Sequence, residues 1–414
     1  MTNDFDLQRS QFYDSIPDYW ADLYGQEYSL YDVHELSSAE VLRIREATYR
    51  IGHLFARTAA LLRTIDADTL LSLGFPAAAL SYIRLHKLSV ESVIARLDLV
   101  RCGDAYKCIE NNADTPTFIK EVHHINGLIC DHFDLHNPNE GFERQLALAV
   151  ERAIAESLDG LGLTVGHTPN VVFTAHADHV EDYYTAQYLM SLTQLPARFV
   201  ALDQLQIIQN DGLYDELGNR IDVLYRQTFP VEIMLEDTDE EGSPIGQWLL
   251  ELVEQDKLAV INPPSSFLLQ SKAVQAVIWG LHEEQSPYFT AEEHAWIKEH
   301  CLPTYLEADT FLERQCWYVK KPAFGREGDT VQILDGSGNV VTEDRSSTYA
   351  NHLSVYQQYV ELPQTQYRTK NGFQHGSCLI GSFLIGGRAG AIGMRIGDMI
   401  TNNGSYYLPV GIRK

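Results

Sequence analysis

The stretch LDLVRCGDAYKCIENN reads as two β-strands folded back on each other at a turn holding Gly103 and Asp104. A hairpin of this kind commits the chain to antiparallel sheet early, and it also carries polar residues that a routine strand does not need. Arg96 and Asp98 are two apart and share a face, as do Glu110 and Asn112 on the returning arm. With the turn near Gly103, Asp98 and Glu110 fall nearly opposite each other. Two carboxylates facing across a hairpin repel unless a cation lies between them. A hard cation such as Mg²⁺ would suit Asp98, Glu110 and the Asn112 amide oxygen. Arg96 beside them could hold a substrate carboxylate or a transferring phosphoryl group. The plainer alternative is a solvent-facing hairpin edge with an Arg96–Asp98 salt bridge. The NADTPT segment that follows has turn chemistry and offers Asp114, Thr115 and Thr117 as hydrogen-bonding groups.

Two further hairpins are legible. WYVKKPAFGREGDTVQIL has two β-rich arms around a loop with Gly325 and Gly328, and CLIGSFLIGGRAGAIGMRI turns between Gly386 and Gly390. Ser37 and Glu40 form a capping-box pattern ahead of an amphipathic run to Ile65, and helical patterns recur at Gly141 to Leu158, Glu181 to Leu192 and Ser271 to His282. An α+β architecture of several layers follows. The expected organisation is a mainly helical region over 1–90, a metal-binding hairpin and substrate region over 91–260, and a nucleotide-binding region over 261–414. No Pro/Ser-rich linker separates them, so the regions are expected to interleave.

Lys321 ends a strand, and the PAFGREG loop follows it. Such a loop can lie over nucleotide phosphates, offering backbone N–H groups where side chains would clash, with Lys321 supplying charge at its base. No Gly-Lys-Ser/Thr follows the glycines, so this is not a Walker A loop; an ordinary hairpin turn is the alternative. Lys272 opens a helical stretch, where a lone lysine is usually exposed. Arg395, with Asn402 and Asn403 beyond it, could offset charge on a transferred phosphoryl group, or be an edge-strand surface arginine.

The formal charge of −26 repels phosphate backbones, which argues against nucleic acid as a partner and favours a cationic substrate such as a polyamine; the alternative is that it only aids solubility. Six scattered cysteines without a CxxC pair suggest reduced thiols and a cytoplasmic protein. The N-terminal MTNDFDLQRS does not look like a signal peptide, and the longest apolar stretch is too short and broken to span a membrane.

Taken in order, ARLDLV with IENNADTPT, VEDYYTAQYL, LYRQTFPVEIM, INPPSSFLLQSKA, VKKPAFGREG, YQQYVEL and GSFLIGGRAGAIGMRIGDMITNN resemble the synthetase domain of the glutathionylspermidine synthase family, which are ATP-grasp ligases. The resemblance runs from about Ile94 to the C-terminus. It implies an ATP-grasp fold in circularly permuted order, with ATP and Mg²⁺ as cofactors. It implies amide formation between a carboxylate (a glutathione-like peptide or an amino acid) and a polyamine or other amine, through an acyl phosphate. Asp98, Glu110 and Asn112 match magnesium ligands, and Lys272 and Lys321 match the ATP lysines. Gly325, Arg326 and Gly328 fall in the phosphate lid, and Gln358, Tyr359 and Val360 on the strand bordering adenine. Arg96 and Arg395 match the catalytic arginines. Thr115, Thr117, Glu181, Asp182 and Glu232 fall in the substrate region. The chain departs from the pattern at Val231 and Ser265, where the family commonly has tryptophan, and in EVHHINGLICDHFDLH. The histidines of that stretch, His123, His124, His132 and His136, are expected on a helix surface rather than on a metal. The residues ahead of Ile94 are too few for the amidase domain of bifunctional members. Rival expectations are a ligase of the same family with other partners, and a catalytically silent nucleotide-binding scaffold.

Overall fold

A computed structural model describes residues 4–326, 328–402 and 404–414. Glu327 of the PAFGREG loop, Asn403 and the first three residues lie outside them. In chain order the main elements begin with helix α1 (Ser38–Leu62), strands β1 (Ile94–Cys102) and β2 (Ala105–Asn112) and helix α2 (Phe142–Leu161). Strand β3 (Val171–Thr174), helix α3 (Val180–Leu192) and strands β4 (Arg198–Phe199), β5 (Val223–Arg226) and β6 (Ala259–Ile261) follow. After helix α4 (Ala273–Glu283) come β7 (Thr304–Tyr305), β8 (Tyr318–Pro322), β9 (Gln332–Leu334), β10 (Val340–Glu343) and β11 (Ser354–Gln358). The last strands are β12 (Gln364–Thr369), β13 (Gly372–Ile385), β14 (Arg388–Gly397) and β15 (Tyr406–Leu408).

The central sheet has the order β15-β14-β13-β1-β2, with β12 pairing beside the start of β13, and all of its pairings are antiparallel. The first hairpin and the last one are therefore neighbours in one sheet, although about 260 residues lie between Asn112 and Gly372. The β13–β14 turn is tighter than its glycines suggest: Gly386 and Gly387 alone have positive φ, +55° and +74°, as a two-residue turn of the primed type requires. Gly390 is already in the strand.

Helix α1 covers one face of this sheet. Ser37 and Glu40 form the expected capping box, and Ile44, Ala47, Ile51, Leu54 and Phe55 recur on the buried side. Thr48 Oγ1 meets Ser382 Oγ at 2.6 Å, and Gly52 lets Leu384 approach the helix backbone. The helix stops at Leu62 rather than Ile65, because Asp66 caps a separate short helix and the chain must leave α1 to reach it.

A second antiparallel sheet, β7-β11-β8-β9-β10, is the WYVKKPAFGREG hairpin extended on both sides. A third sheet, β6-β5-β3-β4, is parallel and was not visible in the sequence. Its strands are runs such as VVFT and VLYR, buried along their whole length. Parallel strands covered on both faces carry no alternation, and runs this short resemble buried helix as well. No described helix is long and apolar enough to cross a membrane.

Candidate active site

The face of the central sheet away from α1 carries the polar residues. Across β2, β1, β13 and β14 the register aligns Glu110 with Asp98, Asp98 with Gly381, and Gly381 with Gly393. One step along, Asn112 faces Arg96, and in the other direction Leu379 faces Arg395. All of these side chains point the same way because the pairs are directly opposed. The two glycines are needed there: a Cβ on Gly393 would lie 2.4 Å from Val122 Cγ1 and 2.8 Å from Phe118 Cε1, and one on Gly381 would crowd Phe118 and the Arg96 side chain. Phe118, at φ +76°, rests on this glycine floor behind Arg96.

The hairpin edge is not solvent-facing. Arg96 donates to both Asp98 oxygens, at 2.7 and 3.1 Å, but the pair is buried, with Asp98 only 1% exposed. Arg96 also reaches the Thr117 carbonyl at 3.2 Å. Burial pushes the Asp98 carboxyl up, Arg96 opposes that and Glu110 adds to it. Burial acts on Glu110 in the same sense, yet Lys272, Lys321 and Arg96 together hold it well below the usual carboxylate range. The Asn112 amide nitrogen donates to Asp98 Oδ2 and to Glu110 Oε1, both at 3.4 Å. Turned over, that amide would bring its oxygen beside the two carboxylates, a set of hard donors that fits a magnesium ion.

Lys272 is not an exposed helix residue. It is buried at the start of α4, 3.2 Å from Glu110 Oε2, and donates to the Gly325 carbonyl at 2.9 Å. Lys321 is buried as well and donates to the Ile109 carbonyl and to Gln357 Oε1, both at 2.8 Å. It therefore ties the second sheet to the edge of the first. Burial lowers its pKa to about 8, against the pull of Glu110. Val319, Lys321, Ile333 and Gln357 line the cavity from the second sheet, opposite Ile109 and Leu379 of the central one. Gln358, Tyr359 and Val360 continue that wall. The result is an apolar slot between two antiparallel sheets with lysines at its inner end.

The glycines of the connecting loop answer first to the protein. A Cβ on Gly325 would lie 2.4 Å from Pro322 Cγ, and Gly328 combines φ +76° with the Thr401 carbonyl 2.8 Å from where its Cβ would be. Arg326 pairs with Glu232 at 2.6 Å and donates to Thr115 Oγ1 at 3.1 Å, so the loop is fastened to the segments that follow β2 and β5. Arg395 donates to the Asn402 carbonyl at 3.0 Å, and its charge acts on both Asp98 and Glu181.

The C-terminal ends of the parallel strands open onto the same cavity, as ligand sites of parallel sheets do. Glu181 and Asp182 begin α3 just beyond β3, and Gln227, Thr228 and Pro230 follow β5. Asp182 lies 3.1 Å from His179 Nδ1. Every residue expected in the site from sequence lines this one cavity except Asp114 and Glu232, the latter paired with Arg326. The cavity measures about 420 Å³, roughly thirty times the space one water needs, so it is no packing defect.

Asp114 is not a site residue. It is buried against Arg226, and its other oxygen accepts from the Val231 backbone at 2.8 Å. Val231 and Ser265, the departures from the family pattern, are buried and do not line the cavity. His123 is not on a helix surface: it is buried in a π-helical turn (Glu121–Ile125) against Phe383, and burial lowers its pKa to about 4. That turn's wider winding rotates the residue inward, which helical periodicity does not anticipate. No group of three or more His, Cys, Asp or Glu side chains able to hold a metal occurs among the described residues. Residues missed in the sequence include Leu23, Tyr24 and Tyr28, which the N-terminal segment contributes to the cavity. No motif flags them, because long-range packing alone brings that segment there.

The solved structure of a glutathione synthetase-like effector (GSS30) from Globodera pallida, in apo form, superposes with a TM-score of 0.62 at 12% identity, covering 99% of this chain and 96% of that one. A crystal structure of a putative gamma-glutamylcysteine synthetase from Methylobacillus flagellatus matches at a TM-score of 0.44 and 10% identity, over 91% of this chain and 89% of that one. A putative acid–amine ligase from Haemophilus influenzae is 29% identical over 154 residues, 36% of this chain and 34% of the relative, so the match spans about a third of that protein's length. The fold is of the glutathione synthetase-like, ATP-grasp type. The family model described as glutathionylspermidine synthase preATP-grasp matches residues 9–413. The chain belongs to the glutathionylspermidine synthase preATP-grasp family.

Proposed function

We propose that this protein is an ATP-dependent ligase that joins a carboxylate to an amine through an acyl phosphate. The observation that carries the reading is the convergence of Asp98, Glu110, Asn112, Arg96, Lys272, Lys321 and Arg395 on one cavity between two antiparallel sheets. The description of the Haemophilus influenzae relative, an acid–amine ligase, points the same way.

ATP is read as a substrate whose base enters the slot between Ile109, Val319, Ile333 and Leu379. Lys272 and Lys321 supply charge to its phosphates, under the Gly325–Gly328 loop. Asp98, Glu110 and the Asn112 oxygen would hold magnesium, which when bound would offset phosphate charge. Arg96 orients the acid, its guanidinium held flat by Asp98 and Thr117, and Arg395 faces the charge that spreads over the transferring oxygens. Thr115 and Thr117 lie on the acid's side of the cavity. Glu181 and Asp182 receive the cationic partner, for which a polyamine or the ammonium end of a peptide has the right charge. A glutathione-like peptide is a candidate acid.

ADP release measured against a panel of acids and amines tests this. Release that requires both an acid and an amine is the expected result. Normal ATP binding with no turnover for any pair would point to the silent scaffold instead.

A further inference from the structure

Tyr28 on the cavity wall and the buried Glu121 that it contacts take no part in the chemistry above. Tyr28 donates its hydroxyl to Glu121 Oε1 at 2.6 Å. Glu121 is fully buried in the π-helical turn, and its second oxygen, Oε2, has no hydrogen-bond partner. A tyrosine that has given its proton to a carboxylate keeps lone pairs for a donor in the cavity. Glu181 lines the same cavity, in the first turn of α3.

The groups that act on Glu181 come from several elements. Burial pushes its carboxyl up to about 8, Glu121 and Asp182 add to that, and His179 and Arg395 oppose it. Its own charge is felt by Tyr28 and by Arg96, and His176 lines the cavity nearby. An aliphatic amine reaches the site as an ammonium, which has no lone pair for attack. Amide formation therefore needs a base beside the nitrogen, most effective when it ionises near the working pH.

We propose that Glu181 takes the proton from the incoming ammonium, while Tyr28, held by the buried Glu121, positions the nitrogen for attack. This rests on the amide-forming reading above. The Glu181 carboxylate removes one proton, giving a neutral amine and a neutral acid. The nitrogen lone pair then forms the C–N bond at the acyl phosphate carbonyl. The C–O bond to phosphate breaks, the electron pair leaves with phosphate, and phosphate carries off the second nitrogen-bound proton. Glu121 is a positioning residue that acts through Tyr28 and through its charge on Glu181.

The test compares an amine substrate with hydroxylamine, which is already neutral at neutral pH and traps acyl phosphates without a base. In Glu181→Gln, turnover with the amine should fall about 100-fold, while hydroxamate formation continues. In wild type, kcat/KM for the amine should rise with pH through about 8. Glu121→Gln should move that acid limb down by about one unit, because a neighbouring negative charge is gone. A ¹³C-glutamate titration of the free protein should show the same displacement of the Glu181 signal. If Glu121→Gln does not fold, Tyr28→Phe serves: without its donor Glu121 holds its proton more tightly, and the limb moves the same way. No hydroxamate in wild type would defeat the ligase reading itself. Hydroxamate with unchanged amine turnover in Glu181→Gln, or a limb that stays put in both other variants, would overturn this inference alone.

Discussion

At the scale of single residues, the site is a cluster of charges that neutralise one another out of water. Asp98 and Arg96 form a pair whose side chains are 2% and 6% exposed, so removing either leaves a buried charge alone. Asp98→Asn is expected to abolish ADP release and also to cost about 3–5 kcal/mol in urea unfolding. Glu110, whose side chain is 26% exposed, is less committed to stability. Glu110→Gln should therefore lose turnover by at least about 100-fold while its unfolding midpoint moves little. Lys321 gives a further prediction. Its folded pKa of about 8 lies below its ordinary 10.5, so between these values the unfolded chain holds a proton that the folded one lacks. This group's contribution to stability then rises with pH in that window, while its charge in the site disappears. Affinity for a non-hydrolysable ATP analogue should weaken as pH rises through about 8, and the same calorimetric profile for Lys321→Gln should lose that step.

At the scale of elements, two contacts decide where the site residues stand. Asp114, just past β2, meets Arg226 at the end of β5 with both side chains fully buried, and so locks the first hairpin to the parallel sheet. Asp114→Ala should destabilise the protein by about 3–5 kcal/mol, read from denaturant unfolding, whereas breaking an exposed pair such as Arg413–Glu35 should leave the unfolding midpoint nearly unchanged. The glycine floor is the other contact. Gly393→Ala drives a methyl into Val122 and Phe118 in a packed layer, for an expected loss of about 1–3 kcal/mol. Phe118 backs Arg96 across Gly381, so turnover of the folded Gly393→Ala protein should fall as well. Only glycine at 381 and 393 leaves room for the Phe118 ring.

For the molecule as a whole, three sheets share one cavity, and each brings one kind of chemistry. The central sheet supplies the carboxylates and arginines, the second sheet the slot and Lys321, and the parallel sheet's ends the acidic pair. Over all of this lies a net charge of −26. Such a field draws cations and is screened by salt over about 10 Å at 0.1 M. Raising ionic strength should raise KM for a dicationic amine several-fold and leave KM for hydroxylamine nearly unchanged, a comparison made with one enzyme in one assay series.

The sequence by itself determined the local pieces: the three hairpins, the capped helix α1, the facing of Asp98 and Glu110, and the candidate side chains around them. Period-two alternation, turn glycines and capping residues are short-range effects, written within a few positions of where they act. Only the tertiary structure decided burial and partners. Lys272 and Lys321 became interior charges, Asp114 turned from the site to Arg226, Glu232 paired with Arg326, and His123 rotated inward. It alone also brought Tyr28 and Glu121 to Glu181. Those outcomes depend on which distant surfaces meet and exclude water, and no spacing along one chain encodes that contact.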